Sequence, residues 1–412
     1  MIIHKPEIME EGDEIIVSSK VEFKGTRQEF PDRLWYKFPK SYREYVTSRT
    51  DGFVTSLLPL AMTLGENLEI RGTVSSRLAQ GLREFRFVQS TWKPNHYKFV
   101  EINYEELCDA SIDDNIGVVG SAFSGGVDSF HTLWSHLPQN EPYQDYVITH
   151  CLLINGFERV SDIENTGRFL GMQKTYEEMM AANGLNLIVS TTNIREFLDA
   201  PRLKQSFGAI VTASALVLGR LFSVFYIPSS YKFTELKMIQ DGSHLMLDNL
   251  LCTESLQTIH DGAHFSRVEK TVAISQWADA FSRLRVCFNA TVFNDATSSI
   301  ENCCRCEKCI RTMATLDMCG ALHNFSAFPA PLTRWAIRVA RYESPGSRLF
   351  ARELIEYALE CGRKDVAFDY RYALLRGRFW LELSMKFHWF SAWLQERSNL
   401  YCRFIKLVKQ SG

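Results

Sequence analysis

The sequence predicts an α/β protein built on a doubly wound parallel sheet, with a β-rich region before it and a helical region after it. Two observations carry this expectation. Between residues 113 and 320, short apolar runs alternate with amphipathic or small-residue stretches, the pattern of parallel strands joined by helical crossovers. In addition, 412 residues exceed one average hydrophobic core, so flanking regions are expected.

Residues 1–112 form the expected β-rich region. Residues 13–23 alternate in part, with Ile15, Val17, Val21 and Phe23 on one face. Residues 68–74 and 97–102 have strand composition, and 52–65 carry enough Leu, Ala and Met for a buried helix. Arg71, Arg77, Arg83 and Trp92 read as surface and core residues rather than ligands. Residues 113–320 then supply strands at 116–123, 146–154, 185–190 and 222–228. Helices are expected between them at 127–137, about 162–183 and 208–221. On such sheets ligands bind beyond the carboxyl ends of the strands. Residues 321–412 are expected to be helical and aromatic, with Phe379, Trp380, Phe387, Trp389, Phe390 and Trp393 close together. A helix packed on its own protein explains them better than a membrane-surface helix, because charges interrupt every face.

Composition narrows the function classes. At 46% hydrophobic and 23% charged residues, the chain has the make-up of a soluble globular protein. A formal charge of -2 supplies no electrostatic drive toward long nucleic acid. The first fifteen residues turn acidic before an apolar run develops, unlike a secretory signal. No 18 apolar residues run without charge, which argues against a membrane span and for a cytoplasmic location.

The chemistry concentrates in two places. The first is Ser124-Gly125-Gly126-Val127-Asp128-Ser129, directly after the first expected parallel strand. Paired glycines let the backbone turn tightly and bring N–H groups to a ligand. The following helix aims its partly positive N-terminus at the same spot, and Ser124 and Ser129 add hydroxyl donors. Together these make a cradle for phosphate oxygens. A Walker A loop would need a Lys-Ser/Thr ending and a dinucleotide fingerprint would need GxGxxG; both are absent. Asp128 either caps the helix or helps hold Mg²⁺. Adenine is expected near Ile154 and Asn155, at the end of the second strand.

The second place is a cysteine cluster. Of eleven cysteines, Cys303, Cys306 and Cys309 follow a C-x-x-C-x-x-C spacing, with Cys304 interrupting it. Tetrahedral zinc takes four thiolates, and Cys287, on an expected short strand at 284–288, is the fourth candidate. Three cysteines alone would also suit an iron–sulfur cluster. The compact triplet plus an upstream partner favours a structural Zn²⁺, with Cys304 a bystander.

The hexapeptide matches the signature of the PP-loop ATP pyrophosphatases residue for residue. With Arg267-Val268-Glu269-Lys270 and the cysteine array, residues 115–320 resemble the 7-cyano-7-deazaguanine synthases. The resemblance implies that the loop holds the β- and γ-phosphates of ATP while the α-phosphate is attacked, leaving an adenylate and pyrophosphate. It implies a small-molecule carboxylate or deazapurine substrate, activated for attack by ammonia or an amine, with a protein as another acceptor. Asp128 and Ser129 are then the expected catalytic loop residues. Lys270 matches a lysine that opens a late helix in that family, where its ammonium would face the phosphates. The chain departs from the family in its flanking regions, in Cys304 where a glycine is usual, and in the distance of Cys287 from the triplet. A homodimer is compatible with all of this.

A polar stretch between loop and cysteines, containing Ser229, Ser230, Tyr231, Asp241, Gly242, Ser243, His244, Asp248, Glu254 and His264, reads as a substrate pocket. His260 and Asp261 are its candidate proton-handling pair. Two other functions remain open: a tRNA sulfurtransferase, which would need Cys151 or Cys252 as a catalytic thiol, and a non-catalytic nucleotide-binding scaffold.

Overall fold

The computed structural model describes residues 1–25, 30–109, 115–157, 166–287, 292–294 and 299–377. The protein is α/β, with a large, mostly parallel sheet. It divides into two compact units, one of residues 1–302 with 323–329, the other of residues 303–322 with those from 330 onward. Among the described residues no helix is long and apolar enough to cross a membrane.

The first unit holds an eleven-stranded sheet. In chain order its strands are β1 (Ile2–Ile3), β2 (Glu7–Glu11), β3 (Glu14–Glu22), β4 (Arg33–Pro39), β5 (Leu68–Ser75) and β6 (Ile102–Cys108). They continue with β7 (Val118–Ala122), β8 (His150–Asn155), β9 (Asn186–Thr192), β10 (Phe222–Pro228) and β11 (Gln257–Asp261). The last five are mutually parallel in the order β11-β10-β7-β8-β9. After β7 the chain moves outward to β8 and β9, then returns to the other side of β7 for β10 and β11. The strand order therefore reverses between β7 and β10, and in open parallel sheets ligands bind beyond the carboxyl ends at such a point.

Both faces of β10 are covered: Phe222, Val224, Phe225, Tyr226 and Ile227 are all buried, as a central parallel strand requires. One cover is the helix Phe207–Val217, in which every residue after the first is buried. It packs on the helix Asp51–Leu64, itself almost wholly buried. Gly52 permits the contact, because a Cβ there would lie 2.6 Å from Val217 Cγ2 and 2.7 Å from the Ala213 carbonyl.

The strands of residues 1–108 extend the same sheet instead of forming a separate one. β4 pairs antiparallel with β9, Tyr36 opposite Thr192 and Lys37 opposite Thr191. Asn193 fastens this seam, accepting from the Trp35 N–H (3.0 Å) and donating to the Arg33 carbonyl (2.9 Å). β3 joins β4 to β1, and β1, β5 and β6 run parallel beyond it.

Three local expectations fail. Residues 97–101 are not strand, because Tyr97 N–H bonds the Lys93 carbonyl (2.8 Å) and Lys98 N–H bonds that of Met62 (2.9 Å). The strand begins at Ile102. Residues 284–287 are irregular, the Leu284 N–H taken by the Ala280 carbonyl and those of 285–287 by the glycine loop and an asparagine side chain; residue 288 lies outside the described set. β4, β11 and the helix Ser76–Trp92 were not anticipated. The aromatic cluster from Phe379 to Trp393 lies outside the described residues.

In the second unit, the helix Glu307–Met318 packs against helices Arg334–Val339 and Pro345–Glu360. Arg311 on the first helix pairs with Glu307 (3.0 Å) and stacks on the Phe350 ring, 4.3 Å from its centroid. A further helix, residues 364–377, buries Asp369 against Arg334 (2.6 Å) and Arg338 (2.5 Å).

Candidate functional site

β7 ends at Ala122, and Phe123 still pairs with β8 through its N–H to the Leu152 carbonyl (2.9 Å). The chain then turns through Ser124, Gly125 and Gly126 into the helix Val127–Ser135. Gly125 has φ +74°, and a Cβ there would fall 1.7 Å from Tyr176 Oη, so glycine is required on both counts. Gly126 is the N-cap. Ser129 Oγ donates to the Gly126 carbonyl (3.1 Å) and accepts from the Ser124 N–H (3.3 Å). Ser124 Oγ accepts from the Gly126 N–H at 3.4 Å. Bonds this long are weak, so these donors are aimed but scarcely consumed, as a site for an incoming anion needs.

Asp128, in the first turn of that helix, is surrounded by donors from the other side of the switch point. Its Oδ2 accepts from Arg267 Nη2 (2.6 Å) and Ser230 Oγ (3.3 Å). Lys270 Nζ stands 3.8 Å from Oδ1 and donates to the Ser229 carbonyl at 2.5 Å. The helix Arg267–Ile274 is set by a capping box: Ser266 Oγ accepts from the Glu269 N–H (3.1 Å), and Glu269 returns the bond to the Ser266 N–H (2.6 Å). Lys270 is therefore placed beside the loop, in buried contact with Asp128 and Ser229. Asp128 Oδ1 accepts no hydrogen bond among the described residues. A buried carboxylate oxygen left in this state is a fitting ligand for Mg²⁺. Ile154 and Asn155 end β8 opposite Ser190 and Thr191, half-buried at the same end of the sheet.

His260 and Asp261 do not pair. As neighbours on β11 they face opposite sides of the sheet. His260 Nδ1 lies 2.7 Å from Asp248 Oδ2, which also accepts from Ser243 Oγ (2.6 Å). Asp261 accepts from Thr132 Oγ1 (2.7 Å) and lies 3.2 Å from His136 Nε2. His136 in turn is 2.5 Å from Glu141 and stacks on Tyr226. Burial opposes the charged form of His136, but Asp261 and then Glu141 outweigh it and raise its pKa. Burial likewise works against the Asp261 carboxylate, yet the bond and charge of His136 hold its pKa below the usual range.

His131, on the loop's own helix, went unnoticed in the sequence. Burial, and then the charge of Lys270, push its pKa down to about 4. It packs edge-on against Phe265, and nothing in its spacing distinguishes it from an ordinary helix residue. Cys151 is fully buried in β8, where burial drives its thiol pKa up, and Cys252 is buried as well. Neither presents a thiol to the loop surface.

The sulfur atoms of Cys287, Cys303, Cys306 and Cys309 all lie within 4.8 Å of one another. Cys303 and Cys309 are 3.7 Å apart, Cys306 and Cys309 3.4 Å. Four thiolates about 2.3 Å from one zinc in a tetrahedron stand about 3.8 Å apart, so the cluster fits a single ion. Cys306 caps the helix Glu307–Met318 and its N–H reaches Cys303 Sγ (3.4 Å), which favours thiolate charge there. Asn302 aligns the upstream ligand. Its Oδ1 accepts from the N–H groups of Val286 (2.9 Å) and Cys287 (3.1 Å), and its Nδ2 donates to Leu284 and Ala327 carbonyls. Cys304 stands outside the group, at φ +54°, a left-handed conformation that favours glycine.

Comparison with family models, with curated proteins and with solved structures finds no match to this chain.

Proposed function

We propose that the chain is an ATP-dependent, AMP-forming ligase that activates a carboxylate as an acyl-adenylate and passes the acyl group to ammonia or an amine. The observation that carries this reading is the glycine loop at the switch point, with Asp128, Arg267 and Lys270 gathered beside it. In this reading the N–H groups of Ser124 and Gly126 and the Ser129 hydroxyl receive the β- and γ-phosphates. A substrate carboxylate oxygen attacks the α-phosphorus, and the bond to the bridging oxygen breaks toward pyrophosphate. Lys270 and Arg267 lie where they can take up the charge of that leaving group. The amine then attacks the acyl carbon, AMP departs, and the amine loses a proton. Asp128 would hold Mg²⁺ through Oδ1, and the ion would draw charge from the phosphate oxygens. Zn²⁺ at the four cysteines has a structural role here, since all four positions of a tetrahedral ion are filled by protein.

Incubating the purified protein with γ-labelled ATP and a small-molecule filtrate of cell extract tests the reading. Label is expected in pyrophosphate, with AMP as the nucleotide product. Label only in orthophosphate, with ADP, overturns it.

A further inference from the structure

We infer that residues 283–287 are a positioning element for the glycine loop, so that the backbone N–H of Arg285 sets the loop's affinity for phosphate. The inference rests on the phosphate-binding reading above and adds a control to it.

The contact is backbone to backbone. Arg285 N–H donates to the Gly125 carbonyl at 2.7 Å, the shortest tie on the loop's outer side. A peptide unit is planar and trans, so fixing the direction of the Gly125 carbonyl also fixes that of the Gly126 N–H, which must point the opposite way. That N–H is one of the weakly engaged donors, with only Ser124 Oγ at 3.4 Å. Arg285 thus aims an anion-binding donor without touching the anion. Gly125 is free to rotate in principle, having no Cβ, and needs such a restraint more than any other residue type.

The restraint is itself anchored at both ends. On one side Tyr176 Oη donates to the Arg283 carbonyl (3.2 Å), while the same hydroxyl fills the space where a Gly125 Cβ would sit. On the other, Asn302 grips Leu284, Val286 and Cys287 through its amide. These residues are irregular in conformation, and the side chains of Tyr176 and Asn302 hold them. Local opening of such a segment is far less costly than global unfolding.

Hydrogen exchange and nucleotide binding together test the positioning, with α,β-methylene-ATP as the probe. The Arg285→Pro protein is expected to exchange the Gly126 and Val127 amides at least about tenfold faster than wild type, and to bind the probe about tenfold more weakly. Amides of the helix Asp51–Leu64 should not change. Arg285→Ala keeps the N–H that proline removes, so it should exchange and bind as wild type does. If Arg285→Pro leaves loop exchange unaltered, or Arg285→Ala matches it, the inference is overturned. Failure of wild type to bind the probe would instead overturn the ATP reading, with the exchange measurement still deciding the positioning.

Discussion

Arg267 reaches across the switch point to place its guanidinium 2.6 Å from the Asp128 carboxylate, tying the helix after the glycine loop to the helix that carries Lys270. Neither charge stands alone in the cleft. The pair stores the two signs that a nucleotide and its counter-ion would otherwise bring.

Asp128→Asn removes the anion that Arg267 and Lys270 face. The expected cost in stability is about 1–3 kcal/mol, from a charge-assisted, largely buried contact. AMP formation should fall by about a hundredfold or more, as when one preorganised charge is lost from a polar site. Thermal melts and product analysis on the same preparation check both. Full turnover in the variant would remove Asp128 from the mechanism.

Cysteine substitutions should divide sharply. About one zinc per chain is expected by elemental analysis, with no iron and no visible absorption. Cys306→Ser should lose zinc together with solubility, because coordination can contribute on the order of 10 kcal/mol to so short a segment. Cys304→Gly should keep zinc and gain about 0.5–1 kcal/mol, since relief of the left-handed strain is offset in part by glycine entropy. Stoichiometric iron would point toward sulfur-transfer chemistry.

Acid should act through His131. Its folded pKa is about 4 against an unfolded value near 6.5, so between those pH values the unfolded chain binds a proton that the native chain refuses. Stability is therefore lost as pH falls through this window, on the order of 3 kcal/mol at its end. His131→Leu should flatten that part of the pH–stability curve. His136 has the reverse sign, because its folded pKa is raised. Its contribution is complete below about pH 6.5 and disappears as pH climbs through the raised value. The gap between wild type and His136→Asn should consequently narrow on the alkaline side. Urea midpoints measured across pH 4–9 decide both.

Removing residues 1–112 strips β4 from β9 at Thr191 and Thr192 and leaves β9 as an open edge strand. The truncated chain is expected to associate or precipitate before any loss can be traced to the phosphate loop. A monodisperse, fully active product of residues 113–412 would contradict this.

Much of the parallel sheet was legible because its strands are short apolar runs with clear helical spacers; β10 coincides with its expected limits. β11 escaped because Gln257–Asp261 carries only one apolar side chain, its burial supplied by a neighbouring strand and not by its own pattern. The helix Ser76–Trp92 was hidden by its many charged and polar residues, and β4 by the Pro and Lys that suit its exposed face. The loop and the cysteines are local in sequence and needed no fold to be seen. Pairings such as His260 with Asp248, twelve residues away, are made by the turn between them, so adjacency of His260 and Asp261 misled. Lys270 was reached only through the family resemblance; periodicity gives a buried lysine no mark.

The β4–β9 seam also governs the order in which the protein can be made. Tyr36 and its partner Thr192 are separated by 156 positions of chain. At about 5–20 residues per second, a ribosome takes roughly 8–30 seconds to deliver the second after the first. Throughout that interval the N-terminal strands have emerged without the edge they are meant to complete. Nascent chains of this protein are therefore natural clients for a chaperone that shields strand edges, and slowing synthesis before residue 186 should raise aggregation where slowing it afterwards should not.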